Sequence, residues 1–159
     1  CVLPTVPNVA GKVRGGATNW PTPLHILEGD DDKFASFDAA DVALAASGTV
    51  TTELALSQTP MVVGYKLGWL TYALARPFIV AKFATLVNIL LDREAVPEFI
   101  QEKCTPDALA TALLPLFRDP KARDAQTTAL KAAVHELGGD DEPPSLRAAR
   151  TLLAFAGRS

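Results

Sequence analysis

A chain of 159 residues is the length of one domain and can bury a core of its own. Its 48% hydrophobic and 21% charged residues are those of a soluble globular protein, and a net charge of −3 offers no general attraction to nucleic acid. A membrane span needs roughly 20 apolar residues, whereas the longest run without formal charge, Gly15 to Leu27, holds two prolines.

Cys1 and Cys104 stand in no CxxC or Cys/His spacing, so no metal site is expected. A disulfide between them is open on paper, yet two cysteines in a core-forming chain fit a reducing cytoplasm. The chain begins at Cys1, without a charged segment leading into an apolar one, and reads as a piece of a longer protein rather than a secreted precursor.

Val2–Val6 has the β-type pattern of a strand ended by Pro7-Asn8, and a helical segment to Arg14 is expected to break at Gly15-Gly16. Leu24–Leu27 reads as a second strand. Asp30-Asp31-Asp32 then puts negative charge at the start of a helix over Lys33–Ala40. Val42–Ala46, uncharged between Asp41 and Ser47, is expected to be a strand buried on both faces. Thr49–Ser57 follows as a helix and Met61–Tyr65 as the next strand. Strands alternating with helices at this spacing predict an α/β fold, a Rossmann-like parallel sheet with flanking helices.

From Asp92 onward only helices are expected. Thr105-Pro106-Asp107 combines an N-cap, a first-turn proline and an acid. Leu109, Leu113, Leu116 and Phe117 form one apolar face, and Leu130, Ala133, Val134 and Leu137 form another, closed by Gly138-Gly139. Ser145 is read as the cap of a last helix striped by Leu146, Ala149, Leu153 and Ala156. Residues 1–104 thus read as a Rossmann-like unit and 105–159 as a helical tail packing on it or on a partner, with Gly138–Pro144 as a linker.

Ser47-Gly48-Thr49 falls where a parallel strand meets the next helix. In open α/β sheets ligands bind at the carboxyl ends of strands, and free N–H groups at a helix start favour a phosphate. Gly48 permits close approach, the Ser47 and Thr49 hydroxyls can donate, and Glu53, one turn on, can accept from ribose hydroxyls. The same string also suits a plain N-cap followed by a solvated glutamate.

Between Leu54 and Leu91 there is no acid, while Lys66, Arg76 and Lys82 stand among Tyr65, Trp69, Tyr72, Phe78 and Phe83. Such a surface suits anionic lipid headgroups, with an amphipathic stretch Leu70–Phe78 inserting shallowly. A core of aromatics rimmed by lysines explains the pattern equally well, since Pro77 interrupts it. Three cations make a small footprint for nucleic acid.

Among the other polar residues, His25 in its apolar run reads as a core or strand-edge residue, and His135 as surface. The Asp30–Asp32 acids read as capping charge rather than a metal site. Asn88 in an apolar run must find hydrogen-bond partners, either a ligand or nearby backbone. Arg93-Glu94 is a weak local pair or part of a binding loop.

Taken in order, Ala45-Ala46-Ser47-Gly48-Thr49-x-x-x-Glu53, Pro60-Met61-Val62-Val63-Gly64-Tyr65-Lys66, Leu70-Thr71-Tyr72-x-Leu74-Ala75-Arg76, Asn88-x-Leu90 and Arg93-Glu94-x-Val96-Pro97-Glu98 resemble the lipid-A-disaccharide synthases. These are inverting glycosyltransferases built of two facing Rossmann-like halves. The resemblance implies transfer of diacylglucosamine from its UDP derivative to diacylglucosamine 1-phosphate, with no cofactor and no metal.

By the same resemblance, Ser47, Gly48 and Thr49 hold the donor diphosphate, Glu53 binds the ribose, and Asn88 lines the nucleotide pocket with Arg93 nearby. Lys66, Trp69, Tyr72, Arg76, Phe78 and Lys82 become a membrane surface, and the enzyme is peripheral on the inner face of the bacterial inner membrane. Two positions depart from the family pattern, which has proline at Val87 and glycine at Asp92. The chain corresponds to the C-terminal half. The N-terminal half, expected to bring the general base and much of the acceptor site, is a required partner, and tail helices exchanged in a homodimer are a further expectation.

Two rival readings remain: a UDP-N-acetylglucosamine transferase or epimerase of similar fold, and a non-catalytic nucleotide-binding or membrane-docking module.

Overall fold

A computed structural model describes residues 1–68, 82–138 and 144–156. Two parallel ladders form its sheet layer. In the first, β1 (Val2–Thr5) pairs with β2 (His25–Glu28), Val2 opposite His25 and Thr5 opposite Glu28. In the second, β3 (Ala43–Ala45), β4 (Met61–Tyr65) and β5 (Glu98–Ile100) lie in the order β3-β4-β5. Every pairing is parallel, as the strand–helix alternation requires.

The connections are α1 (Pro7–Ala17), α2 (Asp30–Ala39), α3 (Thr49–Leu56) and α4 (Leu86–Leu91). A 3-10 turn (Gln101–Lys103) leads from β5 to three helices: α5 (Pro106–Arg118), α6 (Pro120–Glu136) and α7 (Pro144–Ala156). Several ends follow from local chemistry. Pro7 opens α1, three aspartates fill the first turn of α2, and the Thr105 hydroxyl accepts from the Ala108 N–H ahead of Pro106. Gly138 takes φ 76 just past α6, the left-handed C-terminal stop its residue type favours.

Four expectations need correction. The first helix does not break at Gly15-Gly16; a Cβ at either glycine would meet no neighbour within 4 Å, so the helix runs on through solvent at the modest cost of two poor helix formers. The Thr18 hydroxyl closes it by donating to the carbonyls of Arg14 and Gly15. The strand ending at Ala45 is not covered on both faces: it is the edge of its ladder and Leu44 is 57% exposed. The region after Asp92 is not all helix, because Glu98–Ile100 adds β5 beside β4. Ser145 lies inside the first turn of α7, which begins at Pro144, rather than capping it.

The core sits between the β3–β5 ladder and α3, α4 and α6. Leu54, Met61, Val63, Val96 and Leu130 are at most 1% exposed and join Phe37, Ala45, Val87 and Ala133 in one cluster. The apolar face predicted for α6 is therefore the buried one, with Val134 packed against the cluster. Gln126, buried on α6, accepts from the Met61 N–H at 2.6 Å and donates to the Ala95 carbonyl at 3.2 Å, so its amide satisfies two backbone groups at the sheet's amino end. Gly64 lets α5 close on β4, since a Cβ there would stand 3.1 Å from both Cys104 Sγ and Leu109 Cδ2. On α5, Leu116 is buried, but Phe117 turns outward at 58% exposure. Leu146, Leu152, Leu153 and Phe155 of α7 are also exposed. Cys1 and Cys104 are both free thiols.

Candidate functional site

Because β3, β4 and β5 are parallel, their carboxyl ends open on one side, and the turns that follow them meet there. The turn after β3 carries Ser47 and Gly48 into α3. Gly48 has φ 139 and ψ −160, a conformation open almost only to glycine, and nothing lies within 4 Å of where its Cβ would be. No side chain caps α3, and its first turn holds no acid. Among the described residues no side chain claims the N–H groups that open the helix, and its backbone is approachable, the arrangement that favours a bound anion. The turn is braced from below: the Thr51 hydroxyl donates to the Gly48 carbonyl at 2.8 Å.

Glu53 lies four residues after Thr49, on the same side of α3. It is half-buried, and its Oε1 accepts from Lys33 Nζ of α2 at 3.2 Å. The Lys33 ammonium also lies 3.5 Å from Asp30 and 4.4 Å from the Phe34 ring centroid. The hydrogen bond to Glu53 is the main cause that raises the Lys33 pKa above its ordinary 10.5; partial desolvation opposes it, and the charges of Glu53 and Asp30 add to it. Ser47, Gly48, Thr49 and Glu53 are therefore brought together along one turn of helix, with Glu53 already anchored by a cation.

A second polar assembly stands beside the turn. The Ser47 hydroxyl donates to the Ala84 carbonyl at 3.2 Å, tying the β3–α3 turn to the segment that opens α4. That segment is held by Glu98 at the start of β5. Its carboxylate accepts from the Ala84 N–H (2.7 Å), the Thr85 N–H (2.8 Å), the Thr85 hydroxyl (2.6 Å) and Asn88 Nδ2 (2.7 Å). Nothing in the sequence pattern singled out Glu98 for this work. Its partners lie 10 to 14 residues upstream, and the only local signal was an acid following Val96-Pro97.

Asn88 is fully buried. Its Nδ2 donates to the Val96 carbonyl at 2.7 Å as well as to Glu98, and its Oδ1 accepts from the N–H groups of Ala95 (2.8 Å) and Val96 (2.9 Å). Both donors and both acceptor positions are used inside the protein. Of the two partners foreseen for it, ligand or backbone, the geometry supplies backbone, together with the Glu98 carboxylate. Arg93 is exposed in the turn after α4, its backbone N–H donating to the Asn88 carbonyl at 3.3 Å. Just before it, Asp92 takes the left-handed conformation at φ 46, which aspartate tolerates better than most side chains.

Of the residues read as a membrane surface, Lys66 is exposed, and exposed Lys82 stands 3.5 Å from Asp92 and 4.8 Å from the Phe83 ring centroid. Trp69, Tyr72, Arg76 and Phe78 lie outside the described residues. Among the described residues no helix is long and apolar enough to cross a membrane, and no group of three or more His, Cys, Asp or Glu is placed to hold a metal ion.

The model of the family described as lipid-A-disaccharide synthetase matches residues 8–142. The chain belongs to that family. Curated relatives named lipid-A-disaccharide synthase agree: the protein from Rhodospirillum centenum is 47% identical over 152 residues, covering 96% of this chain and 38% of the relative. Those from Ruegeria pomeroyi and Paramagnetospirillum magneticum are each 40% identical, over 96% and 97% of this chain and 39% and 40% of their own lengths. The chain thus spans about two fifths of the curated relatives it matches.

Proposed function

We propose that this chain is the donor-binding, C-terminal half of a lipid-A-disaccharide synthase, a glycosyltransferase of lipid A biosynthesis. In this reading the α3 turn at Ser47-Gly48-Thr49 holds the diphosphate of UDP-diacylglucosamine. The observation that carries it is the uncapped, acid-free start of α3 behind a glycine in a glycine-only conformation, at the carboxyl edge of a parallel sheet. Negative charge that builds on the diphosphate as the glycosidic bond breaks falls on that helix start, where backbone donors and the helix dipole oppose it. Glu53, fixed by Lys33, takes the ribose hydroxyls. Asn88 and Glu98 hold the loop at the nucleotide wall, and Arg93 lies at its rim.

Nothing in this turn suits proton abstraction from an acceptor sugar, so the general base is assigned to the N-terminal half of the same enzyme. Residues 1–104 form the nucleotide-binding unit and 105–159 the helical tail, whose apolar α7 supports pairing in a homodimer. The acid-free stretch around Lys66, Arg76 and Lys82 supports a peripheral position on the inner face of the inner membrane, where donor and lipid acceptor lie.

The reading is tested by titrating UDP, with AMP as control, while following amide chemical shifts. Selective movement of Ser47–Glu53 is expected with UDP only, and Glu53→Ala is expected to weaken UDP binding by roughly 1–3 kcal/mol, the loss of one charged hydrogen-bonding partner. Unchanged UDP affinity in a folded Glu53→Ala protein removes the ribose role.

A further inference from the structure

The two parallel ladders do not join. Among the described strands β1 bonds only to β2, and β3 ends its ladder opposite β5. α2 leaves β2, packs against both β2 and β1, and brings Phe37 into the core cluster that also holds Ala45 of β3. A parallel crossover turns right-handed and lays its helix over the strands it passes, so β1 lies between β2 and β3. The sequence of strands across the molecule is therefore β2-β1, a break, then β3-β4-β5. Doubly wound sheets place their first strand at the centre, in the order 3-2-1-4-5-6. The five strands here fill the two places on one side and the three on the other, and none fills the centre.

The edges facing the break carry no charge. The His25 N–H donates to the Cys1 carbonyl at 2.9 Å, so by alternation Leu3 and Thr5 also turn their backbone toward β2, while Val2 and Pro4 turn theirs away. On the other side, the Ala43 N–H donates to the Pro60 carbonyl at 2.8 Å; Ala43 and Ala45 thus face β4, and Leu44 turns its N–H and carbonyl away. Val2 is 47% and Leu44 57% exposed, and of the devices that guard a true sheet edge β1 has only Pro4 and β3 has no charge. Pro4, which can only accept, marks the carboxyl limit of the free ladder.

We propose that one apolar β-strand, supplied by polypeptide outside these 159 residues, inserts between β1 and β3, parallel to both. It exchanges backbone hydrogen bonds with Val2 and Pro4 on one side and Leu44 on the other. A strand covered on both sides and both faces is a near-continuous apolar run, which defines its chemistry. The relatives have the chain to provide it: the matched region is 38% of the Rhodospirillum centenum protein. Running parallel, the inserted strand ends beside the Ser47–Gly48 turn and completes the wall of that site, whatever ligand the turn holds.

Amide hydrogen exchange, with nuclear Overhauser contacts, tests this in the 159-residue chain and in the full-length Rhodospirillum centenum relative. In the chain, the Leu44 amide is expected to exchange at least about 100-fold faster than those of Val62 and Val63, whose protection reports that the sheet is formed. In the relative, the amides aligned with Val2 and Leu44 are expected to be as slow as those aligned with Val62 and Val63, each contacting a third strand from the unmatched region. Direct contacts between the strands aligned with β1 and β3, or an unprotected amide at the Leu44 position of the relative, overturn the proposal. UDP is absent from both measurements, so their outcome is separate from that of the donor-site titration.

Discussion

The β3–β5 ladder and the β1–β2 ladder obey the same pairing rule but are held in different ways. In the first, Met61, Val62 and Val63 are fully buried and α2, α3, α4 and α6 contribute side chains to the core around the strands. In the second, no strand residue is buried, Val2 and Leu3 are exposed, and the buried apolar groups nearby are Ala10 of α1 and Phe37 of α2. Identical hydrogen-bond geometry therefore coexists with very unequal packing. Since net hydrogen-bond stabilisation is small and apolar burial large, the two regions should differ most in stability. The first is a finished core, and the second awaits a neighbour.

The largest expected effect breaks this contrast by substitution. Leu130, fully buried on α6 among Leu54, Met61 and Val96, loses its contacts on truncation, and Leu130→Ala is expected to cost about 2–5 kcal/mol. Ile26→Ala in β2 removes a comparable side chain from a half-buried site and is expected to cost less than half as much. Chemical denaturation of both variants measures the two costs. Equal losses would mean that β1–β2 is packed as tightly as the core.

What the sequence disclosed follows the same division. The β4 run, the α6 face and the Thr105-Pro106 helix start were legible because each is written in local periodicity or in a cap within four residues. β5 was not, because Glu98–Ile100 is too short to show alternation and owes its existence to the neighbouring β4. The exposure of Leu44 could not be read either: an uncharged run looks the same whether it is covered or awaits cover. At the candidate site, Ser47, Gly48, Thr49 and Glu53 were legible as a spacing along one helix. The Glu98 carboxylate was not, since its four partners are joined only by the fold. Asn88 was recognised as a buried amide in need of partners, but which partners it finds is a tertiary fact.

An intermediate effect sharpens the comparison through two glycines. Gly29 (φ 126) precedes α2 in the open region and Gly48 (φ 139) precedes α3 beside the core; both are at the start of a helix, uncapped, with nothing within 4 Å of a Cβ. Alanine at either position meets the same backbone strain, about 1–3 kcal/mol, with no clash. Stability should fall alike in Gly29→Ala and Gly48→Ala. UDP binding should fall only in Gly48→Ala, because Asp30, Asp31 and Asp32 make the α2 start repel an anion that the acid-free α3 start accepts. Parallel UDP titrations separate strain from site, and an equal loss of affinity in both variants would show that UDP binding follows global stability.

The smallest effect concerns an ion pair that ties the two regions together, Lys33 of α2 with Glu53 of α3. Lys33 has its pKa raised in the folded protein, chiefly by the hydrogen bond to Glu53, so folding favours its protonated form. The stabilisation is fully present below the ordinary value of 10.5 and is lost as pH rises through the folded value above it. Lys33→Met should therefore be less stable than the parent by a constant margin through neutral and mildly alkaline pH, and that margin should shrink above about pH 10.5. The pair is partly exposed, so the margin should also narrow with added salt. Urea midpoints of both proteins at matched pH and ionic strength follow it. A margin that stays constant through pH 11 would place the contribution of Lys33 in the packing of its stem near Phe34 rather than in its charge.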